Sequence, residues 1–177
     1  MSGHSKWAQI KHQKAQVDAK KGKTFSKITR MISLAAREKG PNPDMNISLR
    51  AAIEKAREVN MPKENIERAI KKGAGGEEGK LELILYEAYG PGGIAFVIEG
   101  ITDNNNRTFS EIRKIITDHD AKLTPGGALW MFERINNAWV PKTLVAVSNE
   151  TTREKIKGLM EALLDHDDVQ EVYVNAD

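Results

Sequence analysis

A length of 177 residues allows one ordinary domain or two small ones, and the lack of cysteine excludes disulfides, thiol nucleophiles and cysteine-based zinc or iron–sulfur sites. No apolar run approaches the roughly 18 residues of a membrane helix, and the first residues do not resemble a signal peptide, so we expect a cytoplasmic protein with no membrane partner. The net charge of +2 is divided unevenly: residues 1–75 contain 17 Lys and Arg and 7 Asp and Glu, whereas residues 76–177 contain 10 Lys and Arg and 18 Asp and Glu. This division excludes a uniformly basic, histone-like chain and indicates one nucleic-acid-binding half.

The N-terminal part of the chain is predicted to be a basic arm followed by three short helices. Residues 1–23 are rich in lysine and poor in apolar residues, so we expect an arm that is at most partly helical. Beyond the arm, apolar residues recur at helical spacing and predict a bundle over residues 24–72. Asn42-Pro43 is predicted to cap and begin the second helix, and Gly73 to follow the third. Residues 73–79 contain four glycines and are predicted to be a linker.

The remainder of the chain, residues 80–177, is predicted to be a domain of strands and helices. Five segments have strand-like apolar runs: 81–89, 94–101, 128–135, 143–148 and 169–174. Two capping-box sequences predict helix starts between them, Thr108–Glu111 and Thr151–Glu154. From residue 94 the order is βαββαβ, with one extra strand before it, which predicts a ferredoxin-like, split-βαβ sheet. The expected fold class is therefore α+β, with a basic three-helix domain before a ferredoxin-like α/β domain.

Two glycine-rich segments resemble nucleotide-binding loops without completing them. Gly73–Lys80 has Ala74 where a phosphate-binding loop needs glycine, and it is followed by Leu81 where the loop needs a hydroxyl residue. The sequence Gly90-x-Gly92-x-x-Ala95 is followed by a β-rich run rather than by a helix, so we interpret residues 90–93 as a hairpin turn. Neither segment predicts a nucleotide cofactor.

The sequence offers no convincing catalytic or metal-binding constellation. The four histidines lack the spacing of metal ligands, and nothing marks a serine as a nucleophile. The acidic segment Asp165–Asp168 has donors suited to a hard cation, but a solvated turn between a helix and a strand is the commoner use of such a segment. We therefore expect no enzymatic activity, no metal, no cofactor and no small-molecule substrate.

The basic arm carries the strongest physical signal of function. Lysines that nearby acidic residues barely neutralise bind phosphate through counterion release, without sequence specificity. Trp7 either stacks on a base or packs onto its own domain. The predicted nucleic-acid-binding residues are Lys6, Trp7, Lys11, His12, Lys14, Lys20, Lys21, Lys23 and Arg30.

A second polar cluster, Thr102–Thr108, lies in the acidic half of the chain. It either prepares a helix cap at Thr108 or forms a donor-rich helix start suited to phosphate or an RNA backbone. In the second interpretation the contacting residues are Asn104, Asn106 and Arg107.

Short segments in a fixed order resemble one known family. They are Gly3–Trp7, Ile10–Lys14, Asp18–Phe25, Tyr86–Gly93, Thr102–Thr108 and Asp168–Tyr173. In sequence and order they closely resemble the YebC/PmpR family, which includes the mitochondrial translational activator of cytochrome c oxidase. Members of that family are usually longer, with a third α/β domain inserted after the strand that corresponds to Trp130–Phe132. Here that domain is expected to be missing near residues 135–140.

The resemblance implies a non-enzymatic regulator of gene expression and no catalytic residues. The family is described as transcriptional regulators that bind DNA, and some members resemble ribosome-associated translation factors that relieve stalling. The expected partner is therefore DNA or, as the alternative, ribosomal RNA or tRNA on the ribosome.

Overall fold

The computed structural model describes residues 18–76 and 81–177, with side chains from residue 21 onward. The described residues form two compact units. The helical unit contains residues 18–76, 81–82 and 101–104, and the α/β unit contains residues 83–100 and 105–177. This mixed helix-and-sheet architecture confirms the α+β class. Within the described ranges, none of the helices combines the length and the apolar character that crossing a bilayer requires.

Three helices build the helical unit: α1 (Asp18–Lys39), α2 (Ile47–Glu58) and α3 (Lys63–Gly75). Their apolar faces meet in one core, in which Ile32, Leu49 and Ala56 are fully buried. Helix α1 begins at Asp18 rather than at Thr24, so the end of the predicted arm is helical. The rest of that predicted arm, residues 1–17, lies outside the described residues.

The start of α2 is fixed by Asn46 and not by the predicted cap Asn42. The Asn46 side chain accepts a hydrogen bond from the N–H of Leu49 at 3.0 Å. Its amide nitrogen donates to the carbonyl oxygens of Ala35 and Gly40 at 2.8 and 2.9 Å. Asn42 instead accepts a bond in the turn that precedes the helix. The prediction was wrong because only Asn46 stands next to the first helical residue, where a side chain reaches the unpaired N–H groups.

Helix α3 continues through Gly73 to Gly75, into the segment predicted to be a linker, whose residues 77–79 lie outside the described ranges. The left-handed residue that ends the helix is Gly76, with φ of 66°. Gly73 is buried against α1, where a Cβ atom would lie 2.2 Å from the carbonyl oxygen of Ser33. The glycine therefore serves the close approach of two helices rather than a helix end.

Six strands and two α-helices of the described ranges lie wholly or mostly in the α/β unit: β1 (Glu82–Tyr89), β2 (Ala95–Thr102), α4 (Asn105–Asp118), β3 (Lys122–Leu123), β4 (Phe132–Ile135), β5 (Ala138–Pro141), α5 (Glu150–Asp165) and β6 (Val169–Val174). Four of the strands form a sheet with the order β3-β1-β2-β6. The pairs β1–β3 and β2–β6 are antiparallel. The hairpin turn predicted at residues 90–93 is confirmed, since the N–H of Gly90 donates to the carbonyl of Ile94 at 2.8 Å.

The central strand β2 is covered on both faces of the sheet. Ile94, Phe96 and Ile98 belong to a core that includes residues of α4 and α5. Ala95 and Val97 belong to a second cluster, which includes residues of the segment 128–139. This double burial explains why β2 reads as a continuous apolar run rather than as an alternating one.

The second cover of the sheet is the antiparallel hairpin β4–β5. Its turn residues Asn136 and Asn137 both have positive φ, 49° and 64°. Glu99 on β2 connects both strands of this hairpin to the sheet, because its carboxylate accepts hydrogen bonds from Arg134 of β4 at 2.5 Å and from the indole N–H of Trp139 of β5 at 2.8 Å. Burial, with the nearby carboxylates, raises the pKa of the Tyr173 hydroxyl beside this cluster.

Several predicted boundaries of the α/β domain were wrong. Residues 143–148 form no strand. Val145 makes a single β-bridge to Ala176 near the chain end, and Val147 lies in a loop with its side chain buried in the core. The alternating apolar residues that suggested a strand therefore reflect burial of a loop. Of the predicted strand 128–135, only β4 is extended. Strand β1, predicted as an addition to the sheet, lies inside it between β3 and β2.

Both predicted capping boxes were misplaced by a few residues. Helix α4 begins at Asn105, so Thr108 lies inside it. Helix α5 is capped by Asn149, whose side chain accepts from the N–H of Thr152 at 3.0 Å. The pattern of a hydroxyl residue followed three positions later by Glu also fits the first turn of a helix, so it does not locate the cap uniquely.

Candidate functional site

The described part of the predicted nucleic-acid-binding set lies on α1. Five predicted members lie outside the described residues: Lys6, Trp7, Lys11, His12 and Lys14. Lys20 lies in α1, but its side chain is outside the described part. Lys21 and Lys23 are exposed, and Arg30 is half-buried. Nucleic-acid binding by this set stays a prediction.

One face of α1 is basic over two turns. Lys23, Lys27 and Arg30 stand at positions i, i+4 and i+7, which helical geometry places on the same side. Arg30 donates to the carbonyl oxygen of Ile101 at 3.1 Å, within the helical unit. The sequence-based set omitted Lys27, although its spacing from Lys23 was a sufficient signal. Such a face offers cationic groups of the kind that contact phosphate oxygens.

The polar segment at the start of α4 presents amide side chains. Asn104 and Asn106 are exposed on either side of Asn105, the first residue of the helix. The N–H of Asn104 donates to the hydroxyl of the buried Thr102 at 2.9 Å. The Tyr86 hydroxyl donates to the Asn105 side chain at 2.8 Å. Neighbouring hydrogen bonds thus hold the backbone from which the two exposed amides extend.

Arg107, the third predicted residue of this segment, is engaged in an ion pair. Its guanidinium donates to Asp168 Oδ2 at 2.7 Å, with the Arg107 side chain 41% exposed and that of Asp168 only 2% exposed. The Thr108 hydroxyl donates to the same oxygen at 2.5 Å. Thr108 is therefore a buried partner of Asp168 and not a helix cap. The ion pair connects the first turn of α4 to the residue before β6, so its direct effect is to stabilise the fold.

Two further side chains extend this ion-pair network. The N–H of Asp168 donates to Nδ1 of His166 at 3.1 Å, so a neutral His166 carries its proton on Nε2. That nitrogen donates to Glu111 Oε2 at 2.9 Å. Arg107 lies 3.8 Å from the same carboxylate oxygen. Each charged group in the network thus faces a group of opposite charge or a hydrogen-bond donor.

The network has the composition of a metal site but the geometry of a hydrogen-bonded cluster. Donor atoms of Glu111, His166 and Asp168 lie within 4.8 Å of one another. Asp168 Oδ2 is occupied by Arg107 and Thr108, and His166 could ligate a metal through Nε2 only by giving up the proton it donates to Glu111. What this arrangement does chemically is orient Arg107 and fix the helix start beside Asn106.

Comparison with known protein families matches both units. Residues 5–76 match a model described as the TACO1/YebC protein N-terminal domain. Residues 81–138 and 133–176 match a model described as the TACO1/YebC second and third domain. The two matched pieces of the second model meet at residues 133–138, which include the β4–β5 turn.

Two relatives with the same descriptive name, and one protein of known structure, are similar to this chain over nearly its whole length. A probable transcriptional regulatory protein of Halothermothrix orenii is 40% identical over 241 positions, covering 100% of this chain and 95% of that protein. One from Pseudothermotoga lettingae is 48% identical over 179 positions, covering 100% of this chain and 71% of that protein. The crystal structure of the conserved hypothetical protein Aq1575 from Aquifex aeolicus superposes with a TM-score of 0.89 at 36% identity, covering 98% of this chain and 97% of that one.

Proposed function

This chain belongs to the TACO1/YebC family, and from that membership we propose that it is a non-enzymatic, nucleic-acid-binding regulator of gene expression that acts on DNA as a transcriptional regulator. The observation that carries the proposal is the name of the relatives that match the chain from end to end, each a probable transcriptional regulatory protein.

The charge of the N-terminal half supports contact with a polyanion. Residues 1–75 carry 17 basic and 7 acidic side chains. On α1 the two predicted lysines whose side chains are described, Lys21 and Lys23, are exposed. Binding of this kind is driven by the release of counterions from phosphates, so it weakens steeply with salt.

The salt dependence of DNA binding tests this proposal. If about five lysines of residues 1–23 meet phosphates, log K falls against log salt with a slope of roughly −3.5 to −4.5. Replacing Lys11, Lys14, Lys20, Lys21 and Lys23 by alanine is expected to remove most of that slope. The measurement is fluorescence anisotropy with a labelled DNA duplex at four or more salt concentrations.

A charge-matched variant controls for the loss of five positive charges. Five exposed basic residues of the α/β unit serve this purpose: Arg113, Lys114, Lys122, Lys155 and Lys157. Their replacement by alanine is expected to leave most of the slope in place. Equal slopes for the wild type and the N-terminal variant would move the binding surface away from residues 1–23.

A ribosomal role, through rRNA or tRNA, is the second candidate, and the composition of α1 favours it. This helix of 22 residues has no Asn or Gln, so it lacks the side chains that pair bidentately with adenine in the major groove, although its Lys and Arg side chains can pair with guanine. We propose that its exposed lysines contact phosphates instead, and such contacts fix position but carry no sequence information. A factor of this kind reads a folded RNA by shape and backbone rather than by base sequence.

Comparing DNA selectivity with ribosome binding separates the two candidates. Under the ribosomal alternative we expect less than about tenfold discrimination among duplex DNA sequences, equivalent to about 1.4 kcal/mol. Asn106→Ala is then expected to weaken co-sedimentation with ribosomes while leaving DNA affinity unchanged. It is a cleaner variant than Arg107→Ala, which would also unpair the buried Asp168. Tight, sequence-selective DNA binding without co-sedimentation would exclude the ribosomal role.

A further inference from the structure

Trp130 is a large aromatic side chain that the α/β unit exposes in a fixed orientation. Trp130 is 67% exposed. Its indole N–H donates to the carbonyl oxygen of Gly127 at 2.8 Å, which restrains the ring. The polar group of the indole is thereby used within the protein, so the ring offers its π faces and not a hydrogen-bond donor to whatever approaches it.

The loop that carries this ring is itself anchored to β1. The Glu87 carboxylate accepts hydrogen bonds from the N–H groups of Gly126, Ala128 and Leu129, at 3.0, 2.8 and 2.6 Å. The Tyr89 hydroxyl donates to the carbonyl of Gly127 at 2.8 Å. Bonds from backbone N–H groups to a charged acceptor are stronger than neutral ones. The exposed ring is therefore held in place before any ligand arrives, which lowers the entropy lost on binding.

The segment that carries Trp130 is basic in sequence within an otherwise acidic half. Residues 76–177 carry 10 basic and 18 acidic side chains, whereas the segment 121–148 carries Lys122, Arg134 and Lys142 against the single acidic residue Glu133. The Glu87 carboxylate at this loop is engaged by three backbone N–H groups, and Arg134 is paired with Glu99, so Lys142 is the cation placed at Trp130. Lys142 Nζ donates to the Trp130 carbonyl oxygen at 2.8 Å and keeps two further N–H donors. A positive charge thus stands beside the exposed ring.

We propose that Trp130 is a stacking platform for an unpaired base of single-stranded nucleic acid, with Lys142 placed to meet a phosphate of the same strand. This inference rests on the proposed function, because it takes the ligand to be nucleic acid. An aromatic face accepts any base, and an adjacent cation holds the backbone, which is how proteins bind single strands without sequence preference. The indole N–H, which a protein partner would use at an interface, already bonds to Gly127.

Binding of a labelled 12-nucleotide oligouridylate by the full chain, compared with a 12-base-pair RNA duplex, tests the platform. Trp130→Ala is expected to weaken binding of the single strand by about 5- to 150-fold, the range found when a stacking aromatic is removed. Duplex binding is expected to change by less than about twofold, because paired bases are not available to stack. Trp130→Phe keeps an aromatic face and is expected to stay within about fivefold of the wild type.

Leu144→Ala is the matched control, since Leu144 is an exposed apolar side chain of the same segment, at 51% exposure. It is expected to leave both affinities unchanged, and thermal unfolding checks that every variant is folded. Unchanged single-strand affinity in Trp130→Ala would overturn the platform and leave the proposed function standing. Equal weakening of both probes would overturn stacking in particular. A wild type that binds neither probe nor duplex DNA would overturn both proposals.

Discussion

Gly73→Ala is expected to destabilise the helical unit by about 2–4 kcal/mol, although it adds a single methyl group. The new Cβ atom would lie 2.2 Å from the carbonyl oxygen of Ser33, so the backbones of α1 and α3 must separate. Separation also stretches the hydrogen bond from the Ser33 hydroxyl to the carbonyl of Ala69, which is 3.0 Å long. Urea unfolding followed by circular dichroism measures the loss, and amide hydrogen exchange locates it in these two helices.

Gly22→Ala is the control for this prediction, because it makes the same chemical change in α1 with no atom within 4 Å of the new Cβ. It is expected to stabilise the chain by about 0.5–1 kcal/mol, since alanine loses less backbone entropy in a helix than glycine. If Gly73→Ala were as stable as the wild type, the helices would not be in the close contact described here.

Asp168→Ala is expected to cost about 1–3 kcal/mol, because it leaves the buried Thr108 hydroxyl without its acceptor, whereas Arg107, 41% exposed, can turn to solvent. For a chain of this length such a loss lowers the melting temperature by about 2–12 °C. Asp168→Asn keeps an acceptor for the Thr108 hydroxyl but removes the negative charge, so an intermediate loss is expected. Thermal unfolding followed by circular dichroism measures both variants.

The neighbouring exposed Asp167 provides the matched control. Asp167→Ala removes the same charge from the same turn and is expected to change stability by less than about 0.5 kcal/mol. A melting temperature of Asp168→Ala within about 2 °C of the wild type would show that the ion pair contributes little, as pairs with an exposed member often do.

Local patterns predicted the fold class and missed contacts between distant residues. Apolar periodicity found all three helices of the helical unit, and the glycines at 90–93 marked a real hairpin turn. Gly73 was misread as a helix end because its buried neighbour, Ser33, lies forty positions earlier in the chain. The cap at Thr108 was misread for the same reason, since its partner Asp168 is 60 residues away.

The candidate site was predictable only to the level of residue type. Charge selected Lys21 and Lys23, the density of polar side chains selected the segment with Asn106, and the structure places these side chains on the surface. The same polar segment included Arg107, but an arginine's sequence neighbours do not reveal a carboxylate 61 residues away that engages it. Trp130 was not singled out, because exposure and a fixed ring are properties of the folded loop.

The turn at Asn136 and Asn137 makes the hairpin β4–β5 a natural attachment point for extra chain. Ile135 and Ala138, on either side of the turn, are paired across the two strands, so a folded module with adjacent termini could replace the turn at little cost in loop-closure entropy. The family match divides at residues 133–138, and the alignment with the Halothermothrix orenii protein extends over 241 positions against the 177 residues here. Chain added at the tip of this hairpin would therefore leave its paired residues in place, because Glu99 holds both strands through Arg134 and Trp139.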